Sequence, residues 1–176
     1  DYRALNLVTK RDAYPLPRMD QCLDALGNGN RWFSVCDMRS GYFQVAMAEA
    51  DRDKTAFISH GGLHRYRVMP MGLMNAPSTF QRLMDLVLSG LLYEACLVYL
   101  DDIIIFSRTL PEHLQRVEWV LKRLIGAGLK LKPSKCRFLQ VKAGFLGHIV
   151  SADGIATDPA KTEAISRWPT PRNVHD

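Results

Sequence analysis

The sequence predicts an α+β domain, an antiparallel sheet with helices packed on one face. Three observations carry this expectation. Strand-like apolar runs come in close pairs, Cys96-Leu97-Val98-Tyr99-Leu100 before Ile103-Ile104-Ile105-Phe106 being the clearest. Two longer stretches repeat apolar residues at helical spacing. A chain of 176 residues with 47% hydrophobic and 23% charged content buries one sizeable core, which excludes a disordered or fibrous protein. No apolar run approaches the roughly 18 residues needed to span a bilayer, so no membrane role is expected. Cys22, Cys36, Cys96 and Cys136 are too scattered for a metal knuckle and read as reduced, buried thiols. The chain starts at Asp1 with no leader and stops at Asp176, as expected of a segment of something longer.

The elements follow in order. Pro15 and Pro17 break any early element, and a short amphipathic helix is expected from about Met19 to Leu26, before a turn at 27–30. Trp32 to Cys36 reads as a strand that resumes at Tyr42-Phe43-Gln44-Val45, and its poor alternation predicts burial on both faces. Thr55 to Ser59 and Arg65 to Met69 read as two strands joined at Gly61-Gly62. Phe80, Leu83, Met84, Val87, Leu88, Leu91 and Leu92 form one helical stripe, with Pro77 in its first turn. Two strands then meet at Asp101-Asp102. A second helix fits Leu114, Val117, Leu121, Leu124 and Ile125, ending at Gly126 or Gly128. Strands at Arg137 to Leu139 and Phe145 to Val150 complete the sheet, and a last helix runs from an Asp158 cap through Pro159 to about Trp168.

Net charge is +5, and its distribution says more than its size. Between Trp119 and Ala152 stand Lys122, Arg123, Lys130, Lys132, Lys135, Arg137 and Lys142, with no acid among them. Those seven exceed the net +5, so the remainder carries −2 (16 basic, 18 acidic). The positive excess belongs to one segment, which suits a surface facing a polyanion as well as a plain solvated face.

Asp101 and Asp102 stand between apolar runs that enter the core. Adjacent ionised carboxylates there repel and lose hydration, at roughly several kcal/mol if unrelieved. An isolated Asp-Asp pair is ordinarily a solvated turn, but a third carboxylate changes that reading. Asp37 ends the strand Phe33-Ser34-Val35-Cys36 just before the break at Arg39-Ser40-Gly41. If that strand lies beside the Tyr99 hairpin, three carboxylates converge, as needed to hold two cations about 3.5–4 Å apart in phosphoryl transfer.

These residues carry a resemblance. Tyr99-Leu100-Asp101-Asp102 resembles the YxDD box of reverse transcriptases, and Phe33 through Gln44 resembles their first palm motif. Met69-Pro70-Met71-Gly72-Leu73-Met74-Asn75-Ala76-Pro77-Ser78-Thr79-Phe80-Gln81 is similar to the next motif. Asp1-Tyr2-Arg3-Ala4-Leu5-Asn6 resembles a fingers motif, and Phe145-Leu146-Gly147-His148 the primer grip. The wording is closest to gypsy-type LTR retrotransposons and their retroviral relatives. The resemblance implies a polymerase palm at about 31–44 and 81–156, partial fingers at about 1–30 and 45–80, and the start of a thumb at about 157–176. Trp168-Pro169-Thr170-Pro171 looks like that start.

The same resemblance implies an RNA-directed DNA polymerase that adds dNTPs to a primer on an RNA or DNA template. Asp37, Asp101 and Asp102 become the catalytic ligands of two Mg²⁺ ions (Mn²⁺ a substitute), with the Met38 carbonyl as a further ligand. One ion activates the primer 3′-hydroxyl, and the other holds the triphosphate and the leaving pyrophosphate. Lys135 becomes the general acid for pyrophosphate, with Lys132 a competing candidate. Arg39, Ser40, Gly41, Tyr42, Met71 and Gly72 become nucleotide contacts, Tyr42 excluding a 2′-hydroxyl. At Met71 the retroviral glutamine is absent, so only packing against the nucleotide carries over. Arg3, Asn6, Pro77, Gln81, Tyr99, Gly147 and His148 become template or primer contacts.

Implied partners are the template-primer, dNTP and the rest of a Pol polyprotein: thumb, connection, ribonuclease H, integrase and protease. The implied location is intracellular and cytoplasmic, in a virus-like particle. The family's upstream triphosphate contacts are not among these residues, so weak activity is expected of the segment alone. A decayed or domesticated copy that only binds nucleic acid is the alternative from another class. An RNA-dependent RNA polymerase is a third, disfavoured by Tyr42.

Overall fold

The structure, a computed structural model, describes residues 1–27, 29–159 and 163. Helices α1 (Arg3–Val8) and α2 (Met19–Leu26) precede strand β1 (Trp32–Asp37). A single turn of helix, α3 (Glu49–Arg52), leads to the hairpin β2 (Phe57–Ser59) and β3 (Gly62–His64). Helix α4 (Ala76–Val87), strands β4 (Cys96–Tyr99) and β5 (Asp102–Ser107) and helix α5 (Leu110–Gly126) follow. Strands β6 (Arg137–Gln140), β7 (Lys142–Phe145), β8 (His148–Ser151) and β9 (Gly154–Thr157) come last. The central sheet runs β4-β5-β1-β6, every pair antiparallel.

Both faces of that sheet are covered, which is why its strands read as continuous apolar runs. Cys36, Cys96, Val98, Ile103 and Ile105 point at α4 and α5, the two long helices of the expected face. Phe33, Leu97, Ile104 and Phe106 point the other way, at α2 and the Ala143, Phe145 and Val150 side chains of β7 and β8. Complete burial of each such isoleucine or leucine contributes about 2 kcal/mol. All four cysteines are buried and free, as expected of reduced thiols.

Several elements differ from the sequence expectation. Residues Gly41–Gln44 form a 3₁₀ turn, because Ser40 takes a left-handed conformation (φ 52°) that reverses the chain after β1. The hairpin partner of β2 is Gly62–His64, joined through the two residues His60 and Gly61. The stretch Arg65 to Met69 pairs instead with 45–47, where Met47 N–H donates to the Arg67 carbonyl at 3.0 Å and Met69 N–H to Val45 at 2.9 Å. Helix α4 ends at Val87, although Leu91 and Leu92 beyond it still pack on the same core.

Phe145 to Val150 is two strands, not one. Leu146 and Gly147 both take positive φ, 49° and 78°, and make a tight turn from β7 into β8. With β9 these form a separate three-stranded sheet rather than completing the first. The final expected helix falls largely outside the described residues, as does Trp168 to Pro171, although Pro159 and Glu163 are helical.

Helix α5 starts with a capping box, Thr109 and Glu112 each accepting the other's backbone N–H at 3.4 Å. Its buried face matches the expected one at Leu124, with Val117 packed against the same core, but differs elsewhere. His113, Val120 and Leu124 are inside while Leu114 and Ile125 are exposed. A histidine is tolerated there because partners surround it. The Ser107 hydroxyl donates to the Thr109 carbonyl at 3.0 Å, so it accepts from His113 Nδ1–H, also at 3.0 Å. Nε2 is then the acceptor for the Ser34 hydroxyl at 2.7 Å, and Ser34 in turn accepts Leu139 N–H at 3.1 Å. The last bond occupies a β6 bulge where Leu139 has φ 56° and the register against β1 slips.

The imidazole is neutral in that arrangement. Burial, and secondarily the Arg116 charge, push its pKa below the usual histidine value. The unfolded chain therefore binds a proton near pH 6.5 that the folded chain refuses, so stability is full above that pH and falls as pH drops toward the folded pKa. Thermal melts from pH 8 to pH 5 are expected to lose several degrees, and His113→Gln to flatten that slope while lowering Tm at pH 8. An unchanged slope in the variant would show that other groups govern the acid limb.

Candidate active site

Asp37 closes β1 and Asp102 opens β5, and the two are direct cross-strand partners in the antiparallel register. Such partners share one face with Cβ atoms about 4.5–5.5 Å apart. Asp101 sits beside them in the two-residue turn Leu100-Asp101, whose flanking residues Tyr99 and Asp102 are paired. Met38 N–H donates to the Asp101 carbonyl at 3.2 Å, tying the turn to the end of β1. Acids 64 residues apart in the chain thus meet at one end of the central sheet.

The surroundings leave the carboxylates under-compensated. Burial first, then the charge of Asp37, and for Asp101 also that of Asp102, hold both Asp101 and Asp102 above the usual carboxylate range, with Lys135 opposing. Asp101 Oδ1 is buried with no hydrogen-bond partner among the described residues. Gly41 makes room for it, since a Cβ there would lie 2.2 Å from Asp101 Oδ1 and 2.8 Å from the Phe80 ring.

A strap from the basic segment runs alongside. Arg39 N–H donates to the Lys130 carbonyl at 2.9 Å and Lys132 N–H to the Asp37 carbonyl at 2.9 Å. Gln44 locks it, accepting Lys130 N–H at 2.7 Å and donating to the Arg39 and Lys130 carbonyls at 2.8 and 2.9 Å. The strap brings Lys135 Nζ to 2.9 Å from Asp37 Oδ2, and that carboxylate raises the ammonium pKa. Of the two competing lysines, Lys135 makes the contact, while Lys132 lines the same cavity.

That cavity, about 480 Å³, opens on Asp37 and Asp101 and is walled by Met38, Arg39, Ser40 and the exposed Met71. A second of about 150 Å³ opens on Asp102 against Gly147 and His148. His148 Nδ1 lies 3.2 Å from the Leu146 carbonyl, a contact that needs its proton there. A larger cavity, about 530 Å³, lies among Leu5, Met47, Met69 and Met74 and does not touch the carboxylates, so size alone does not mark the site.

Tyr42 is half-buried and meets the Phe80 ring edge-on, centroids 5.6 Å apart. Asn6 spends its side chain on the following loop, donating to the Gly72 carbonyl and accepting Met74 N–H, both at 2.9 Å. Gly72 has φ 90°, a conformation that suits glycine. Arg3 is exposed and paired with Asp1. Pro77 occupies the second position of α4, and Tyr99 packs at the edge of the α2 core.

Gln81 departs from its expected role. It is fully buried, so it offers no surface to a template strand. Its Oε1 accepts the Leu100 N–H at 2.8 Å, and its Nε2 donates to Asp85 Oδ1 at 2.9 Å and the Val98 carbonyl at 3.3 Å. Sequence reasoning also missed Asp85, Tyr14 and Gln44. The Gln81–Asp85 pair is local, at i,i+4 on α4, but Tyr14 behind it and the Lys130 strap that Gln44 holds come from distant segments.

No group of three or more His, Cys, Asp or Glu among the described residues is arranged as a ready metal cage. The donor chemistry nevertheless fits a hard cation. The unpartnered Asp101 oxygen and the repelling pair Asp37 and Asp102 are what such an ion would relieve.

Comparison with known proteins adds independent findings. The family described as reverse transcriptase (RNA-dependent DNA polymerase) matches residues 1–150. The Pol polyprotein of transposon 297 from Drosophila melanogaster is 49% identical over 171 residues, 97% of this chain and 16% of that protein. That of transposon gypsy, from the same species, is 42% identical over 175 residues, 99% of this chain and 17% of that protein. The foamy viral protease-reverse transcriptase in complex with RNA/DNA hybrid superposes with a TM-score of 0.86 at 26% identity, covering 98% of this chain and 23% of that one. The chain thus spans about a sixth of the length of the curated relatives it matches.

Proposed function

The chain belongs to the reverse transcriptase family, and from that premise we propose that it is the catalytic core of an RNA-directed DNA polymerase. One observation carries the reading: Asp37 and Asp102 are register partners with Asp101 in the adjoining turn. That juxtaposition suits the joining of a dNTP to a primer 3′-hydroxyl on an RNA or DNA template. Bound Mg²⁺, two ions in this reading, would be held by Asp37, Asp101, Asp102 and the Met38 carbonyl, and would neutralise phosphate charge and acidify the primer hydroxyl.

The chain's own groups supply the rest. Asp37 and Asp101 face the cavity of about 480 Å³, which takes the triphosphate, and Lys135 stands where its ammonium can hand a proton to the departing pyrophosphate. Arg39 and Lys132 add positive charge at the same wall. Asp102 faces the smaller cavity, where the Gly147-His148 turn takes the primer end. Tyr42, braced edge-on by Phe80, is the floor under the sugar and leaves no space for a 2′-hydroxyl. The palm comprises about 31–44 and 81–156, and the template-primer and the remaining parts of a polyprotein are its partners. No helix among the described residues is long and apolar enough to cross a membrane.

Extension of a primed poly(rA) template with dTTP, by the natural longer chain that carries these residues, is the direct test. Activity is expected to require Mg²⁺ or Mn²⁺ and to vanish in EDTA. Tyr42→Val is expected to raise rNTP incorporation relative to dNTP by about tenfold or more, since a gate works by steric exclusion rather than attraction. Unchanged discrimination would remove Tyr42 from that role. Primer-template binding without any turnover would favour a nucleic-acid-binding module instead.

A further inference from the structure

Leu100, the residue before Asp101, has φ 53°, a left-handed conformation that is strained for a non-glycine residue. Something must hold it there. Its N–H is taken by the buried Gln81 Oε1 at 2.8 Å. A glutamine amide offers either its oxygen or its nitrogen to that N–H, and only the oxygen accepts. Two acceptors on the far side decide the matter: the Val98 carbonyl takes the Gln81 nitrogen at 3.3 Å, and Asp85 is the closer of the two. Asp85 Oδ1 receives the Gln81 nitrogen at 2.9 Å, and an ionised carboxylate can only accept. The other Asp85 oxygen receives the Tyr14 hydroxyl at 2.6 Å. Tyr14 is itself held by Arg82, whose guanidinium lies 4.7 Å from the ring centroid while also gripping Asp12.

We propose that Asp85, with Tyr14 behind it, is a positioning residue for nucleotide addition, fixing the orientation of the Gln81 amide and thereby the Leu100-Asp101 turn that carries a catalytic carboxylate. Neither residue touches the reactants. The chain of hydrogen bonds runs from the segment before α2, across one side of α4, to the catalytic turn. Its logic is directional: each donor is committed, so the carboxylate admits one amide orientation and the amide one turn geometry. Loss of the acceptor at 85 leaves only the longer bond to the Val98 carbonyl to oppose rotation of the amide, so that part of the population presents its nitrogen to Leu100 N–H, donor against donor, and the turn relaxes.

The inference rests on the polymerase reading above, and the experiment separates the two. Single-nucleotide insertion is followed as a pre-steady-state burst in the natural longer chain, with hydrogen exchange at the Leu100 amide measured alongside. Asp85→Leu is expected to lower the burst rate constant by about tenfold or more, because small misplacement of a reacting group is costly. Its burst amplitude, the fraction of competent molecules, is expected to hold, with nucleotide affinity within about twofold and Leu100 exchange at least about tenfold faster. Asp85→Asn keeps an acceptor oxygen for Gln81 once Tyr14 accepts in its turn, and is expected to stay within about threefold of the original rate. A wild-type chain without any metal-dependent burst would overturn the polymerase reading. A normal wild-type burst would instead sink only the positioning role under any of three results: an undiminished rate in Asp85→Leu, equal losses in the Leu and Asn variants, or a fall in amplitude at an unchanged rate constant.

Discussion

Asp101→Asn is expected to remove nucleotide addition while leaving the metal-free fold as stable as before, or more so. Burial and the neighbouring charges of Asp37 and Asp102 raise the Asp101 pKa above its ordinary value. A carboxylate raised on folding contributes stability only while it is protonated, and costs stability as pH climbs through the folded pKa. At neutral pH in EDTA the site is therefore a liability, and an asparagine of the same shape relieves it. The unpartnered Oδ1 atom gives the same sign, since an amide nitrogen or oxygen there carries no full charge to strand.

Chemistry responds in the opposite direction. A charge-stabilising ligand group contributes several kcal/mol in the transition state, and each 1.36 kcal/mol is tenfold in rate, so a loss of about 10³-fold is expected. Melting in EDTA should show Tm equal or a few degrees higher for the variant. Added Mg²⁺ should raise the wild-type Tm and leave the variant nearly unmoved. A marked loss of stability in EDTA would show that Asp101 is a structural carboxylate and not a strained functional one.

Gly41→Ala carries the second large effect, and for a steric reason. The new methyl would stand 2.2 Å from Asp101 Oδ1 and 2.8 Å from the fully buried Phe80, distances that real Cβ atoms do not adopt. Phe80 is locked in the core under Tyr42, so the carboxylate is what moves. Overpacking of this kind costs about 1–3 kcal/mol, and misplacing a catalytic group by about 1 Å costs about 10²-fold in rate. Tm is expected to fall by several degrees and insertion by at least that factor. Gly126→Ala is the control. A Cβ at that position, the last residue of α5, meets nothing within 4 Å, so the substitution is expected to be neutral or slightly stabilising. Full activity in Gly41→Ala would mean that the turn adapts, and that the glycine is dispensable.

Much of the fold was legible because the signals are local. Helix α2 matches its expected bounds, Met19 to Leu26, and the β4-β5 pair and α4 follow from β-branched runs, a helical stripe and a proline near its start. Where a local signal misled, a neighbour from elsewhere had intervened. The Gly41–Gln44 turn defeats a strand reading because Asp101 needs the space that Gly41 leaves. The buried face of α5 admits His113 in place of Leu114 because Ser34 and Ser107 come from two strands to satisfy it.

The candidate site divides along the same line. The sequence alone singled out the three acids of the proposed site, showed that two are adjacent and that the third closes a strand-like run, and placed the positive charge between residues 119 and 152. Tertiary structure alone decided that Asp37 faces Asp102, that Lys135 rather than Lys132 reaches the carboxylate, and that Gln81 is buried and bonded to the Leu100 amide. Periodicity and turn chemistry act over a few residues and survive in a one-dimensional reading. A side chain's partner 19 or 98 residues away is set by how sheet, helix and strap pack, and only the folded chain holds that information.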